Sequence, residues 1–503
     1  MLCGIQNNMV STNSEIRSDI RWLLLSVVGT LILTFSCRIT PEVDDANIVV
    51  IKGRVNAQDI DEVIIDRFID NPYSIEQKKF STIVDSSSQF YFRIPIESMS
   101  TGRISFGDFT TTISFKPGDE QFIEFGSGEI KFRGKGGMKN SFLNELRVKD
   151  LDSRQIDEAF DSAQMPPEEF LSLINEVHSK QQKILDSYMG EIDPDFALYF
   201  GIGKRTTANM LLQYYPNRYA KNWEIQAESL VLSDEFKTLN RLRSVVNDSF
   251  VISSSYSGTL DFPIYLAAQG LVDDGAFPTI DAARYAVIFD SLQPRTREYY
   301  LARTVGLLYM LDRVDTILVD EFNHMAKDSL AIKAVTVAKN RFEAKHSLKG
   351  KKLIPEFSNT VLKDINNRAT TLGTVLEGHK GRVVYLDLWS LTCGPCLKAM
   401  PFAETLRSKL SDEPIDFIFL TLDTFTPDLW KRVFETTRTD KRHYLLEKRF
   451  DSQMLKFMGV NYLPIYMIFD KEGQIADINA PSPISLQNGS NELETKLRTL
   501  ARE

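Results

Sequence analysis

Cys393-Gly394-Pro395-Cys396 sets two thiols at a spacing from which a disulfide can close and reopen. The pair follows an apolar run, Val383-Val384-Tyr385-Leu386-Asp387-Leu388-Trp389, and opens a segment with helical patterning. At a strand-to-helix junction the first sulfur faces the free backbone N–H groups of the new helix, which favour its thiolate. The only other cysteines are Cys3 and Cys37. Both precede the expected folded part, so the Cys393/Cys396 pair carries its thiol chemistry. Three chemistries suit such a pair: half of a zinc site, a fixed staple, or thiol–disulfide exchange. Zinc needs two further ligands; there is no second cysteine pair, and His379 and His443 lack suitable spacing, so no metal is expected. A staple closing so short a loop constrains the unfolded chain little. Gly-Pro between the sulfurs fits exchange better.

The rest of the chain must position this pair. At 503 residues it is long enough for two to three domains. Its net charge of −9 is spread along the sequence with no basic block, which speaks against a nucleic-acid partner. Near the N-terminus, Arg17 and Arg21 precede a 14-residue apolar run from Trp22 to Phe35. That run is shorter than the roughly 20 residues of a spanning helix and reads as an export signal. Ser36-Cys37 at its end resembles a bacterial lipoprotein cleavage site, which makes Cys37 the candidate lipidated residue. An uncleaved anchor, or a simple signal peptide cut nearby, are the alternatives. Each places the folded part outside the cytoplasm, where disulfides persist unless reduced.

Three regions follow this signal segment (1–37). From 44 to 135 short β-rich runs recur between turn signals such as Lys116-Pro117-Gly118-Asp119 and Gly126-Ser127-Gly128. Phe90, Phe92 and Ile94 alternate with Tyr91 and Arg93, and the whole predicts a small antiparallel β-sandwich. From 136 to 348 the pattern is helical, and an all-α region is expected. Pro166-Pro167-Glu168-Glu169 opens one helix, and Asp193-Pro194 reads as an N-cap followed by proline at the first helical position. Further helices are expected near 234–246, 280–291, 296–311 and 329–345. Residues 349–372 read as a mixed connector. From 368 to 503 strands and helices alternate: strands at 383–389, 415–420 and 465–469, a helix from Cys393 to Leu410, another near 429–435, and a last one carrying Leu493, Leu497 and Leu500.

Asp387-Leu388-Trp389-Ser390-Leu391-Thr392-Cys393-Gly394-Pro395-Cys396, Pro401 and Leu463-Pro464-Ile465 resemble the active-site segment, helix-kinking proline and cis-proline loop of thioredoxin-fold proteins. The insertion around 429–455 and Asp470-Lys471-Glu472-Gly473 are similar to the TlpA/ResA-like branch of exported, membrane-tethered thiol–disulfide oxidoreductases. Phe115-Lys116-Pro117-Gly118-Asp119, with Phe132-Arg133-Gly134 and Asn140, resembles the front part of lipoproteins in that branch.

The resemblance implies a role for each residue. Cys393 is the attacking thiolate and Cys396 the resolving thiol. Asp387 lies buried beneath them as the proton-handling base with a raised pKa. Gly394 and Pro395 let a substrate backbone approach, Leu463 and a cis Pro464 present backbone to it, and Trp389 packs under the helix and belongs to the substrate site. Thr392 departs from the pattern, since an aromatic residue usually precedes the first cysteine. The change alters the surface beside the sulfur.

The implied protein is an anchored, periplasm-facing lipoprotein of the cell envelope that reduces protein disulfides. It needs no cofactor beyond its own dithiol and is recharged by a membrane electron donor. Gly-Pro is the dipeptide of reducing thioredoxins, which favours net reduction. The alternative is an envelope-binding lipoprotein whose first 350 or so residues capture a ligand, with the redox domain as an accessory.

Overall fold

The computed structural model describes residues 47–503 apart from 58, 427, 439–441, 461 and 490. The expected signal segment 1–37 and Cys37 lie outside the described residues. Among the described residues no helix is long and apolar enough to cross a membrane.

The first region is built from β1 (Ile48–Val55), β2 (Glu62–Phe68), β3 (Lys78–Ile83), β4 (Gln89–Pro95), β5 (Ser100–Phe106), β6 (Phe109–Phe115), β7 (Glu120–Gly126) and β8 (Glu129–Lys135). They form two four-stranded sheets, ordered β4-β1-β7-β8 and β3-β2-β5-β6. Alternation drives the stacking. In β4, Phe90, Phe92 and Ile94 are buried while Gln89, Tyr91 and Arg93 face solvent. Val49, Ile51, Ile65, Ile104, Phe115 and Ile123 meet in the core between the sheets. The expectation of a purely antiparallel sandwich needs one correction. β1 pairs β4 antiparallel but β7 in parallel, because β1 opens the region and is sandwiched between later strands.

α1 (Gly137–Val148) leaves β8 directly. The turn at Lys116–Asp119 and the start of α1 close around one buried polar network. Asp119 pairs with Lys139, and Asn140 accepts from Ser114 N (2.7 Å) and donates to Gln121 Oε1 (2.7 Å). Asp119, Lys139 and Asn140 are each at most 2% exposed. Burial of these groups is tolerable because each has a partner. The front motif and Asn140 are thus one structural joint.

The middle region continues with α2 (Arg154–Ser162), α3 (Pro167–Ser187), α4 (Pro194–Asn222), α5 (Asp234–Leu239), α6 (Leu242–Val245), α7 (Tyr256–Asp273), α8 (Ile280–Ala286), α9 (Pro294–Met310), α10 (Thr316–Met325) and α11 (Ser329–His346). Asp193 caps α4 by accepting from Asp195 N, with Pro194 in the first turn. The single helix expected at 234–246 is two short ones, because Asn240 and Arg241 break it. α7 does not stand out in the sequence, since Gly258 and Pro263 read as breakers. Its Tyr256, Leu260, Ile264 and Ala268 nonetheless form a fully buried stripe at four-residue spacing.

The last region holds α12 (Pro355–Ser358), β9 (Val361–Lys363), β10 (Ala369–Thr371), α13 (Leu372–Glu377), β11 (Val383–Trp389), α14 (Gly394–Lys409), β12 (Ile415–Thr421), α15 (Leu429–Thr437), β13 (His443–Leu446), α16 (Gln453–Met458), β14 (Ile465–Phe469), β15 (Ile475–Asp477) and α17 (Glu492–Arg502). Seven strands form one sheet in the order β10-β9-β13-β12-β11-β14-β15. β11, β12 and β13 run parallel, and β14 runs antiparallel to β11. The supposed connector 349–372 supplies β9 and β10 and buries Phe357 and Leu362 in the core. Every residue of β11 is buried, as its near-continuous apolar sequence requires of a central strand. Val384, Leu386 and Leu388 face one core and Val383, Tyr385 and Trp389 the other.

Candidate active site

Chain direction brings the site together. The C-terminal ends of the parallel strands β11, β12 and β13 share an edge with the start of β14. The cysteine loop follows β11, Asp423 follows β12, and Leu463-Pro464 precedes β14.

Cys393 is the N-cap of α14, and Pro395 lies in the first turn, where a missing N–H costs little. Cys393 and Cys396 form a disulfide with their Cα atoms 5.2 Å apart. The Cys393 sulfur accepts from Cys396 N at 3.2 Å, so it sits at the positive end of the helix. Cys393 is half-buried and Cys396 is 1% exposed. The outer sulfur is therefore the one a partner reaches. A Cβ placed on Gly394 would meet nothing within 4 Å. The fold does not need a glycine there, and its effect is to leave the approach to Cys393 open.

Asp387 alternates with Tyr385 and Trp389 on β11, and so faces the core that also holds Cys396, Met400 and Tyr466. It is 2% exposed, and its Oδ1 has no hydrogen-bond partner. Burial alone pushes its pKa up to about 8. Tyr466 stands opposite Asp387 on β14 and stacks on Tyr385, with ring centroids 5.6 Å apart. Burial, and then the nearby Asp387, raise the Tyr466 hydroxyl's pKa. A carboxyl that keeps its proton near neutrality, on the sheet face whose core holds Cys396, can donate that proton, and its ionised form can accept one.

The Leu463–Pro464 bond is cis. Leu463 is half-buried and packs against both cores of the sheet. Trp389 requires a correction as a substrate-site residue. It is 0% exposed, sealed between the sheet and α14, and presents no surface to a partner. Thr392 is exposed, and its hydroxyl lies 3.0 Å from Ser390 Oγ.

Sequence reasoning missed Asp423. Its carboxylate accepts from Ser390 Oγ (2.8 Å), from Leu391 N (2.9 Å) and from Thr421 Oγ1. Cys393 N in turn donates to Ser390 O at 3.0 Å. Asp423 therefore fixes the loop that carries the outer cysteine. The available signal was an aspartate just past the strand that neighbours the cysteine strand, which is common in any α/β fold. His379, weighed earlier as a metal ligand, instead pairs through Nδ1 with Asp416 at 2.6 Å. Asp416 lies near the start of β12, away from the cysteine edge.

Residues 381–475 match the family described as thioredoxin-like. The thiol-disulfide oxidoreductase ResA of Bacillus thuringiensis subsp. konkukian is 28% identical over 120 residues, covering 24% of this chain and 65% of that protein. ResA of Bacillus anthracis is 26% identical over 122 residues, 24% of this chain and 66% of that protein. The chain thus spans just under two thirds of the length of these relatives. Among solved structures, a thiol-disulfide oxidoreductase from Bacteroides fragilis is 16% identical, covering 28% of this chain and 95% of that one, with a TM-score of 0.23.

Proposed function

We propose, with the C-terminal domain thioredoxin-like, that the protein is an exported, membrane-anchored thiol–disulfide oxidoreductase that reduces protein disulfides. The observation that carries this reading is the Cys393–Cys396 pair at the start of α14, on the sheet face that holds the buried, unpaired Asp387 carboxyl.

In the reduced protein the Cys393 thiolate attacks one sulfur of the substrate disulfide. An S–S bond forms to Cys393, and the other substrate sulfur leaves as a thiolate that takes a proton from solvent. Asp387, in its ionised form, which grows toward pH 8, then removes the Cys396 proton. The Cys396 thiolate attacks the Cys393 sulfur, and the second substrate thiolate departs. Two electrons have passed from the dithiol to the substrate, and the Cys393–Cys396 disulfide has closed. The two sulfurs carry the electrons without a cofactor. Each further turnover needs a dithiol donor, which for an envelope protein anchored at Cys37 is a membrane electron carrier.

The full-length protein, once reduced, should reduce insulin disulfides, and Cys393→Ser should abolish this. Cys396→Ala should hold substrates on Cys393 as stable mixed disulfides in cells; recovering none would count against a protein substrate. The competing reading, a binding lipoprotein with an accessory redox domain, requires the opposite result: an inert dithiol beside a front region that holds its ligand.

A further inference from the structure

A cavity of about 1000 Å³ opens where the three regions meet. One wall is the outer face of β2 and β3, the facing wall is α9 and α11, and Phe450, Met458 and Val460 close it from the thioredoxin-like side. Phe450, Met458 and Val460 belong to the core on the sheet face opposite Cys396, and they reach the dithiol only around the strand-end edge that carries its loop. Lys448, Phe450 and Asp451 follow β13, and Val460 leads within a few residues to Leu463-Pro464. β13 is two strands from β11, about 10 Å.

The lining states what fits. Gly306 of α9 is buried, yet a Cβ on it would meet nothing within 4 Å; the space beside it is the cavity. Phe342 of α11 adds an apolar surface. Most lining charges are already matched: Lys78 with Asp70, Lys79 and Lys456 with Asp451, and Arg341 with Glu76. Arg67 and Lys448, from different regions, are exposed and have no ion-pair partner among the described residues. Among the described residues the lining carboxylate left unmatched is Glu62, at the other end of β2 from Arg67. β3, which lines the cavity, is an edge strand with one backbone side unpaired by any strand, a surface to which an extended chain can add.

We propose that this cleft seats an extended, acidic and apolar segment of the disulfide-bearing protein, and so delivers its disulfide to Cys393. The apolar side chains lie over Gly306 and Phe342, and a carboxylate lies near Arg67 and Lys448. The inference rests on the dithiol being catalytic, and it makes the front regions the substrate receptor.

The probe is a fluorescent peptide of about twelve residues, long enough to span the cleft when extended, with alternating Leu and Glu and one internal disulfide. Binding is read by anisotropy on full-length Cys393→Ser, where no exchange occurs. Turnover is read on the otherwise unaltered protein with the peptide and with hydroxyethyl disulfide, with dithiothreitol as the two-electron donor and its uncatalysed rate subtracted. Gly306→Leu, which fills open space, and the pair Arg67→Glu with Lys448→Glu should each weaken peptide binding about tenfold. KM for the peptide should rise to match, with hydroxyethyl disulfide turnover unchanged. A peptide with Lys in place of Glu should bind the unaltered cleft more weakly. Unchanged affinity in both variants, or equal binding of the Lys peptide, overturns the proposal. Peptide binding without turnover of either disulfide would sink the catalytic reading and leave the docking site standing.

Discussion

A carboxyl shut away from solvent with no donor to its Oδ1 holds its proton, and Asp387 is in that position. The folded group keeps its proton up to about pH 8, while the unfolded one loses it near 3.8. Between those limits the folded state binds more protons than the unfolded state, so stability falls as pH rises. Asp387→Asn removes that slope. Urea unfolding of the disulfide form from pH 4 to 8 should show the unaltered protein losing on the order of a few kcal/mol relative to the variant. A parallel pH dependence in the two would refute the buried-acid account. Release of a mixed disulfide preformed on Cys393, with Cys396 intact, should be about a hundredfold slower in the variant and should lose its rise toward pH 8, as expected when a general base is removed. Asp387, Cys393, Cys396 and Pro464 were legible because the segments carrying them resemble the active-site segment and cis-proline loop of thioredoxin-fold proteins. Asp423 was not, because its importance comes from the neighbouring strand's loop, and pairing across strands leaves no mark in a single sequence.

At the scale of elements, the strongly patterned pieces were readable: the central strand β11, the α14 helix and the alternation of β4. Weakly patterned pieces were not. β9 and β10 are three residues each, too short for periodicity, and are strands only because the sheet pairs with them. α7 hides a regular buried stripe behind Gly258 and Pro263, and tertiary packing overrides those breakers. The parallel β1–β7 pairing could not be read from strand patterns, which do not specify partners. A consequence follows for where the C-terminal domain starts. Leu348, Phe357 and Leu362 are buried in its core although they precede residue 368. A fragment of residues 347–503 should fold, whereas 368–503 loses these side chains and the β9 edge, a deficit of more than about 4 kcal/mol. Circular dichroism with urea titration checks this: a sharp transition is expected for the longer fragment, and a broad or absent one for the shorter. Equal midpoints would mean that residues 347–367 only decorate the sheet.

The described residues from the three regions form one compact unit, and the joints that make it so converge near the cis-proline loop. Tyr462 donates to Met310 O at 3.3 Å and Asn479 to Leu311 O at 3.4 Å, tying the end of α9 to the approach to β14 and to the loop after β15. Arg341 of α11 pairs with Glu76 of the β-rich region at 2.8 Å while lying across Gly459 at the end of α16. Gly459 has φ of +66°, and a Cβ there would stand 2.3 Å from Arg341 Cδ. One position thus carries a local demand and a long-range one. Gly459→Ala should pay about 1 kcal/mol for the left-handed backbone, and more for displacing Arg341 from Glu76. The two parts separate in a double-mutant cycle on the full chain. With Arg341→Ala already present, the cost of Gly459→Ala should fall to the backbone part, giving a coupling of about 1 kcal/mol or more. Peptide-disulfide KM should rise in Gly459→Ala, because the displaced Arg341 lines the cleft that seats the substrate. Additive costs would instead mean that the three regions meet at this junction without depending on it.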